Sequence, residues 1–289
     1  MAKLEDYIKD TKLITINKFF KIRLSYELYQ DYLNHSYDIK IALMEKIINN
    51  IISLDISFNN TSPVFYIYIV PSSDFKDLLD FKYDTKGGGR PVKCFDNDGL
   101  KYAFGISANL MKNTNTPSLN EEINLTHELA HLLQMQYFDN EETLSEGFAE
   151  SLTFYNLNYE ERSLEHRNVI LSLSEDKIYS INKLINLSNA HSFYTGTIIK
   201  NSICSYEPTY ISAYLFVRGL TLFVEQKWNT NKNKATQAIL EIIKESKHFD
   251  QFLIFEIAEK LGLDKEKTLR GKLLQLGAID EIRKRRINS

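Results

Sequence analysis

Of the six histidines in this 289-residue chain, two stand in the run Thr126-His127-Glu128-Leu129-Ala130-His131. On a helix, residues four apart lie on one face, one above the other. Two imidazole nitrogens so placed can take two corners of a tetrahedral zinc site. Glu128 is then held beside the metal, where its carboxylate can take the proton of an activated water. Catalytic zinc keeps three protein ligands and one open position. Downstream, Thr143-Leu144-Ser145-Glu146-Gly147-Phe148-Ala149-Glu150 offers Glu146 as the third ligand. Glu150, one turn further, can accept a hydrogen bond from the outer nitrogen of a ligating histidine and so fix its tautomer. The alternative is that both are surface carboxylates of an amphipathic helix.

The first motif needs a helix. Pro117 and Ser118 supply a start, with Ser118 as N-cap and Glu121 completing a capping box. Apolar Ile123, Leu125, Leu129, Leu132, Leu133 and Met135 give a buried side, so the spacing predicts a helix over about 119–137. A polar break at 139–142 separates it from a second helix, in which small Gly147 and Ala149 permit close packing.

His-Glu-Leu-Ala-His followed by Leu-Ser-Glu-Gly-Phe-Ala-Glu resembles the gluzincin metallopeptidases, thermolysin-like zinc hydrolases, and most of all their peptidase MA-like branch. The resemblance implies a zincin-like active-site cleft, Zn2+ as cofactor, His127, His131 and Glu146 as metal ligands and Glu128 as catalytic base. Fourteen residues separate His131 from Glu146, a shorter spacer than in thermolysin, which implies a tight connection. Tyr210-Ile-Ser-Ala-Tyr214-Leu-Phe-Val-Arg218-Gly resembles the clan segment whose leading tyrosine faces the zinc. By that match Tyr210 would donate to the oxyanion; Tyr194, Tyr206 and Tyr214 are rivals among 17 tyrosines. His191 is either a second such donor or a packed histidine.

The expected fold is α+β: a small mixed sheet with helices through residue 137, carrying the HExxH helix, then a mainly helical part over 138–289. Residues 13–24 read as a first strand and 38–54 as a packed helix. Residues 59–63 read as a turn, 64–70 as the clearest strand, and 72–81 as a capped helix. Residues 92–95 and 101–110 read as strands joined by a turn at Asp96–Gly99. The family resemblance implies an edge strand that receives extended peptide, with 87–95 or 101–109 offering it. Clan aminopeptidases hold the substrate amine through a glutamate in a Gly-x-Met-Glu-Asn strand. The candidate strand Phe104–Asn109 has no carboxylate, which favours an endopeptidase.

Composition narrows the field. A hydrophobic content of 43% supports a core and a net charge of −3 argues against a general nucleic-acid surface. Cys94 and Cys204 are too few for a disulfide scaffold. Gly87-Gly88-Gly89 lacks a phosphate-loop pattern. The N-terminus has no apolar signal core and no run spans a bilayer, so a soluble cytoplasmic protein with a peptide or protein substrate and no membrane partner is expected. One rival reading remains. Residues 256–274 resemble a helix-turn-helix and Arg283–Arg286 form a basic end, so the chain would be a regulatory metalloprotease or zinc-binding protein acting on a repressor partner. A four-residue basic cluster is more often a solvated tail.

Overall fold

The computed structural model describes residues 7–56, 63–75, 89–96, 99–113, 116–136, 143–159, 208–245 and 260. The chain forms two compact units, Met1–Ser53 with Ser57–Gln136, and Leu54–Ile56 with Tyr137–Ser289. Among the described residues there are five strands and eight helices, so α and β elements are mixed as expected. The turn of 59–62, the helix expected beyond Phe75, His191, Tyr194, Tyr206, Cys204 and the basic C-terminal segment lie outside the described residues.

The first unit is built on a mixed sheet. Its strands are β1 (Thr11–Thr15), β2 (Phe20–Ser25), β3 (Phe65–Val70), β4 (Gly89–Asp96) and β5 (Gly99–Ser107), in the order β1-β2-β3-β5-β4. β2, β3 and β5 run parallel, while the outer strands β1 and β4 are antiparallel to their neighbours. The single strand expected over 13–24 is therefore two. Asn17 breaks it: its Oδ1 accepts from the Phe19 backbone N–H at 2.9 Å, and the Ile16 N–H donates to the Phe20 carbonyl at 3.0 Å, closing a turn that folds β1 back on β2. An asparagine side chain that imitates a backbone turn competes locally with an extended run.

Alternation sorts the sheet faces. Phe20, Ile22 and Leu24 pair with Phe65, Ile67 and Ile69, and the last two pair in turn with Phe104 and Ile106. All eight are buried. The other face gathers Tyr68, Val70, Val92 and Ala103 under Ile8 and Phe75. Tyr7 ties that cover down: its hydroxyl donates to the Ile69 carbonyl at 2.8 Å and accepts from the Ser25 N–H at 3.2 Å. Burial pushes this phenol up to about 12.

Two helices join β2 to β3, α1 (Tyr26–Leu33) and α2 (Asp38–Ile52); the short α3 (Ala108–Met111) follows β5, and α4 (Leu119–Met135) follows α3. The strand expected over 101–110 thus stops at Ser107, whose hydroxyl lies 2.7 Å from that of Ser72. Helix α4 packs on α2 and against β3, β4 and β5.

The edge strand is β4; β5, the other candidate, is interior. The register Asp96↔Gly99 leaves two residues for the turn, and a two-residue turn closes on a hydrogen-bonded pair. Alternation then makes Pro91↔Phe104 a non-hydrogen-bonded pair, so proline, which has no N–H, removes nothing from the ladder. By the same parity, Gly89, Lys93 and Phe95 direct their N–H groups away from β5. Gly89 is there for space. A Cβ at this position would sit 2.0 Å from Cζ of Phe104, a ring only 1% exposed. Gly89→Ala is expected to destabilise the protein by about 1–3 kcal/mol through overpacking, read as a lower urea midpoint.

The second unit, among its described residues, is helical. Helix α5 (Thr143–Glu150) runs straight into a π-helical turn, Ser151–Asn156, and α6 (Pro208–Trp228) and α7 (Lys232–Glu245) follow. Tyr155 joins these elements. Its ring lies 5.1 Å from the Arg218 guanidinium and 5.3 Å from Lys232 Nζ. Its hydroxyl donates to Glu225 at 2.8 Å and its carbonyl accepts from Lys232 at 2.8 Å. Among the described residues, no helix is long and apolar enough to cross a membrane.

Candidate metal centre

Helix α4 begins as its sequence dictates. Ser118 Oγ accepts from the Glu121 N–H at 3.2 Å, an N-cap of the usual kind. Of the expected capping box the Ser118 half is present, while the Glu121 carboxylate accepts from Lys40 of α2. The next residue repeats the contact: Lys46 Nζ donates to Glu122 at 2.8 Å. Lys40 and Glu122 are both buried. Two ion pairs one residue apart therefore fix where the first turn of α4 sits against α2, and removing one partner would strand a buried charge. The two acids also lie at the positive end of the helix dipole.

From that anchored start, the 1.5 Å rise of an α-helix carries the chain to His127 and His131. Their Nε2 atoms face each other at 3.0 Å, with the rings 4.7 Å apart and at 85° to one another. At 3.0 Å two imidazole nitrogens either share a proton or converge on a cation, since two lone pairs alone would repel. His131 is 8% exposed; His127 and Glu128 are half-buried.

Glu146 joins them. One donor atom each from His127, His131 and Glu146 lies within 4.8 Å of the others. In tetrahedral zinc, ligand bonds of roughly 2.0–2.1 Å place neighbouring ligand atoms about 3.3 Å apart. The two histidine nitrogens already approach that separation. A carboxylate oxygen at 4.8 Å or less closes on it by about 1.5 Å at most, well within a side-chain rotation. Two neutral imidazoles and one carboxylate, with no thiol, form an N2O donor set that suits zinc. The residues present fit the ion.

Glu150 lies one turn after Glu146 and is 4% exposed; its helix then widens. The Leu157 N–H donates to the Leu152 carbonyl at 3.0 Å, five residues back, and the turn buries Ser151, Thr153 and Asn156. The extra residue per turn re-phases the faces, so the positions that follow Glu150 no longer share the stripe of Glu146. Nothing in the local sequence marks this turn, and π-helical bulges have no simple composition signature.

Tyr210 sits in the first turn of α6, and its phenol lies outside the described side chains. Further along α6, Tyr214 meets Phe154 edge-on at 6.2 Å, Arg218 lies over Tyr155, and Glu225 receives the Tyr155 hydroxyl. Tyr214 itself is fully buried against Phe154, as a packing residue would be. Arg218 has no exposed surface and lies 5.9 Å from the Tyr214 ring; in the sequence, only its setting in an apolar helix beside small Gly219 signals such burial. No protein-family model matches the chain, and no curated protein matches it in sequence.

Proposed function

We propose that the chain is a zinc-dependent metallopeptidase of gluzincin type, an endopeptidase with a zincin-like cleft. The observation that carries this reading is the meeting of His127, His131 and Glu146 donors within 4.8 Å, with Glu128 adjacent in sequence to the first. Zinc, when bound, supplies a Lewis acid that polarises the scissile carbonyl and lowers the pKa of water from about 15.7 towards 7. The residues do the rest. Glu128 takes the proton from the attacking water and later delivers it to the leaving amine. Glu150 orients a ligating histidine through its outer nitrogen. The Tyr210 hydroxyl donates to the oxygen that becomes anionic.

Substrate binding follows from the sheet edge. The outward N–H and carbonyl groups along β4 can add an extended peptide as a further strand, and α4 packs against β4. Among the described residues no strand pairs with that outer side. No carboxylate precedes Asp96 on β4, so no acid stands along the strand to hold a free amine, which supports internal cleavage.

Metal analysis with cleavage profiling tests this reading. The purified protein should bind close to one zinc and cut members of a mixed peptide library. His127→Ala, His131→Ala and Glu146→Ala should each weaken zinc binding by well over the roughly 10–100-fold typical of losing an outer hydrogen-bond partner. Unchanged zinc affinity in Glu146→Ala would move the third ligand elsewhere. A zinc-loaded protein that cuts no peptide would remove the peptidase assignment.

A further inference from the structure

The outer side of β4 is a ladder with one rung half missing. By the alternation of its pairing with β5, the backbone groups of Gly89, Pro91, Lys93 and Phe95 turn outward. Gly89, Lys93 and Phe95 direct both an N–H and a carbonyl to that side. Pro91 directs a carbonyl only, because proline has no N–H. Gly89, Pro91 and Lys93 all retain accessible surface, and among the described residues no strand pairs with β4 there.

The face on which Pro91 lies adds to this. Pro91 pairs with Phe104 and Gly89 with Ile106, so both share the face of those side chains. The opposite face holds Val92 and Ala103 beneath Ile8 and Phe75, with no residue of α4 in that cluster. Helix α4 packs against β4 and β5, so it covers the face that Pro91 shares. That helix carries His127 and His131.

An extended peptide added antiparallel to β4, the commoner and more stable pairing, faces it with the N–H and carbonyl of every second residue. Opposite Gly89, Lys93 and Phe95 both groups find partners. Opposite Pro91 the peptide N–H donates to the Pro91 carbonyl, and the peptide carbonyl meets no donor. A carbonyl about to be hydrolysed needs that freedom. It must turn from the strand towards a Lewis acid and an oxyanion donor, and a hydrogen bond to the edge would have to break first.

We propose that Pro91 is a substrate-positioning residue that marks, along β4, the peptide residue whose carbonyl is cleaved. It holds that residue by its N–H and leaves its carbonyl unbonded. The inference rests on the peptidase reading and deepens it, by fixing the register of the bound peptide. The chemical step stays with Glu128.

The first test uses zinc-loaded wild-type protein and an octapeptide chosen from the library cleavage, with analogues in each of which one backbone N–H is replaced by an ester oxygen. Removing the N–H of the residue whose carbonyl is cleaved should lower kcat/KM about two- to tenfold, the size of one hydrogen bond. The same change two residues upstream, opposite Lys93, should lower it as much. One residue upstream, where the N–H faces away from β4, it should have no effect.

The second test restores the missing donor. In Pro91→Ala the new N–H bonds the neutral carbonyl and loses that bond in the transition state. KM and kcat should therefore fall together, each about two- to tenfold, with kcat/KM nearly unchanged. A purely structural role would not lower KM. Pro91→Val supplies the same N–H should alanine disturb folding. A further readout needs no turnover: binding of the fluorescent peptide to zinc-loaded Glu128→Gln protein, followed by anisotropy. Adding Pro91→Ala there should tighten binding of the parent peptide by the same factor. It should leave unchanged the binding of a reduced analogue with a methylene in place of the cleaved carbonyl. If the folded Pro91 variants keep the parent KM, kcat and Kd, the carbonyl opposite Pro91 is not the one cleaved. A raised kcat also overturns the proposal, because the carbonyl would then profit from an edge donor. So does an ester scan in which only the N–H one residue upstream counts. If zinc-loaded wild-type protein cuts no peptide, the peptidase reading fails and this proposal falls with it. Any of the other adverse results in a protein that does cut peptides overturns this proposal alone.

Discussion

Glu128→Gln should leave zinc in place and abolish hydrolysis. The substitution keeps the length of the side chain and its helix propensity but removes the ability to accept a proton. A positioned general base contributes roughly 10²–10⁴-fold to rate, about 3–5 kcal/mol of barrier. Zinc affinity should stay near that of the parent, because the donor set of His127, His131 and Glu146 is untouched. Thermal stability should change little, since Glu128 is only half-buried and the start of α4 is secured by Ser118 and by the Lys40 and Lys46 pairs. Three measurements on one sample decide the matter: metal content, melting temperature and initial rate on the best library peptide. Unaltered hydrolysis would mean that another group takes the proton, even if the metal centre is as described.

Tyr210→Phe should lower kcat by roughly 10²–10³-fold, the usual loss when one oxyanion donor is removed. KM should hardly move. A phenol near a neutral carbonyl contributes little, and its hydrogen bond strengthens only as the oxygen becomes anionic. The phenylalanine keeps the ring, so zinc content and melting temperature should stay close to those of the parent. Tyr214 provides the control on the same helix, one turn on. It is fully buried against Phe154, so Tyr214→Ala should reduce stability by about 3–5 kcal/mol, as truncation of large core side chains does. If Tyr210→Phe is fully active while Tyr194→Phe, Tyr206→Phe or His191→Ala loses turnover, the donor is elsewhere in the chain. A loss of stability without a specific rate effect would make Tyr210 a packing residue.

The metal-ligand set and the sheet depend on different ranges of interaction, which decides how much of each could be read in advance. The placement of His127 and His131 on one face needs only the 3.6-residue period and a capped start, both local to 118–135, and Ser118 caps α4 as its position predicts. The strand of 65–70 and the helix of 38–52 likewise follow from alternation and from apolar spacing. Where a polar side chain competes with the backbone, local pattern fails: Asn17 divides one apolar run into two strands.

By itself, the sequence determined which residues are candidates for binding metal and moving protons, since donor type and helical spacing are properties of neighbours along the chain. It also determined that a glutamate follows at a spacing a third ligand can use. Only the tertiary structure decided that Glu146 comes within 4.8 Å of both histidines, because the fourteen residues between His131 and Glu146 leave that distance open to any fold. Tertiary structure also made β4 the edge and β5 interior, turned the Glu121 carboxylate to Lys40, and removed Arg218 from solvent. The same holds for Gln134. A glutamine near a helix end reads as a surface residue, and only the packing around α4 removes its Oε1 from water. Period and capping act over a few residues, whereas strand order, burial and hydrogen-bond satisfaction are settled by contacts between segments far apart in the chain.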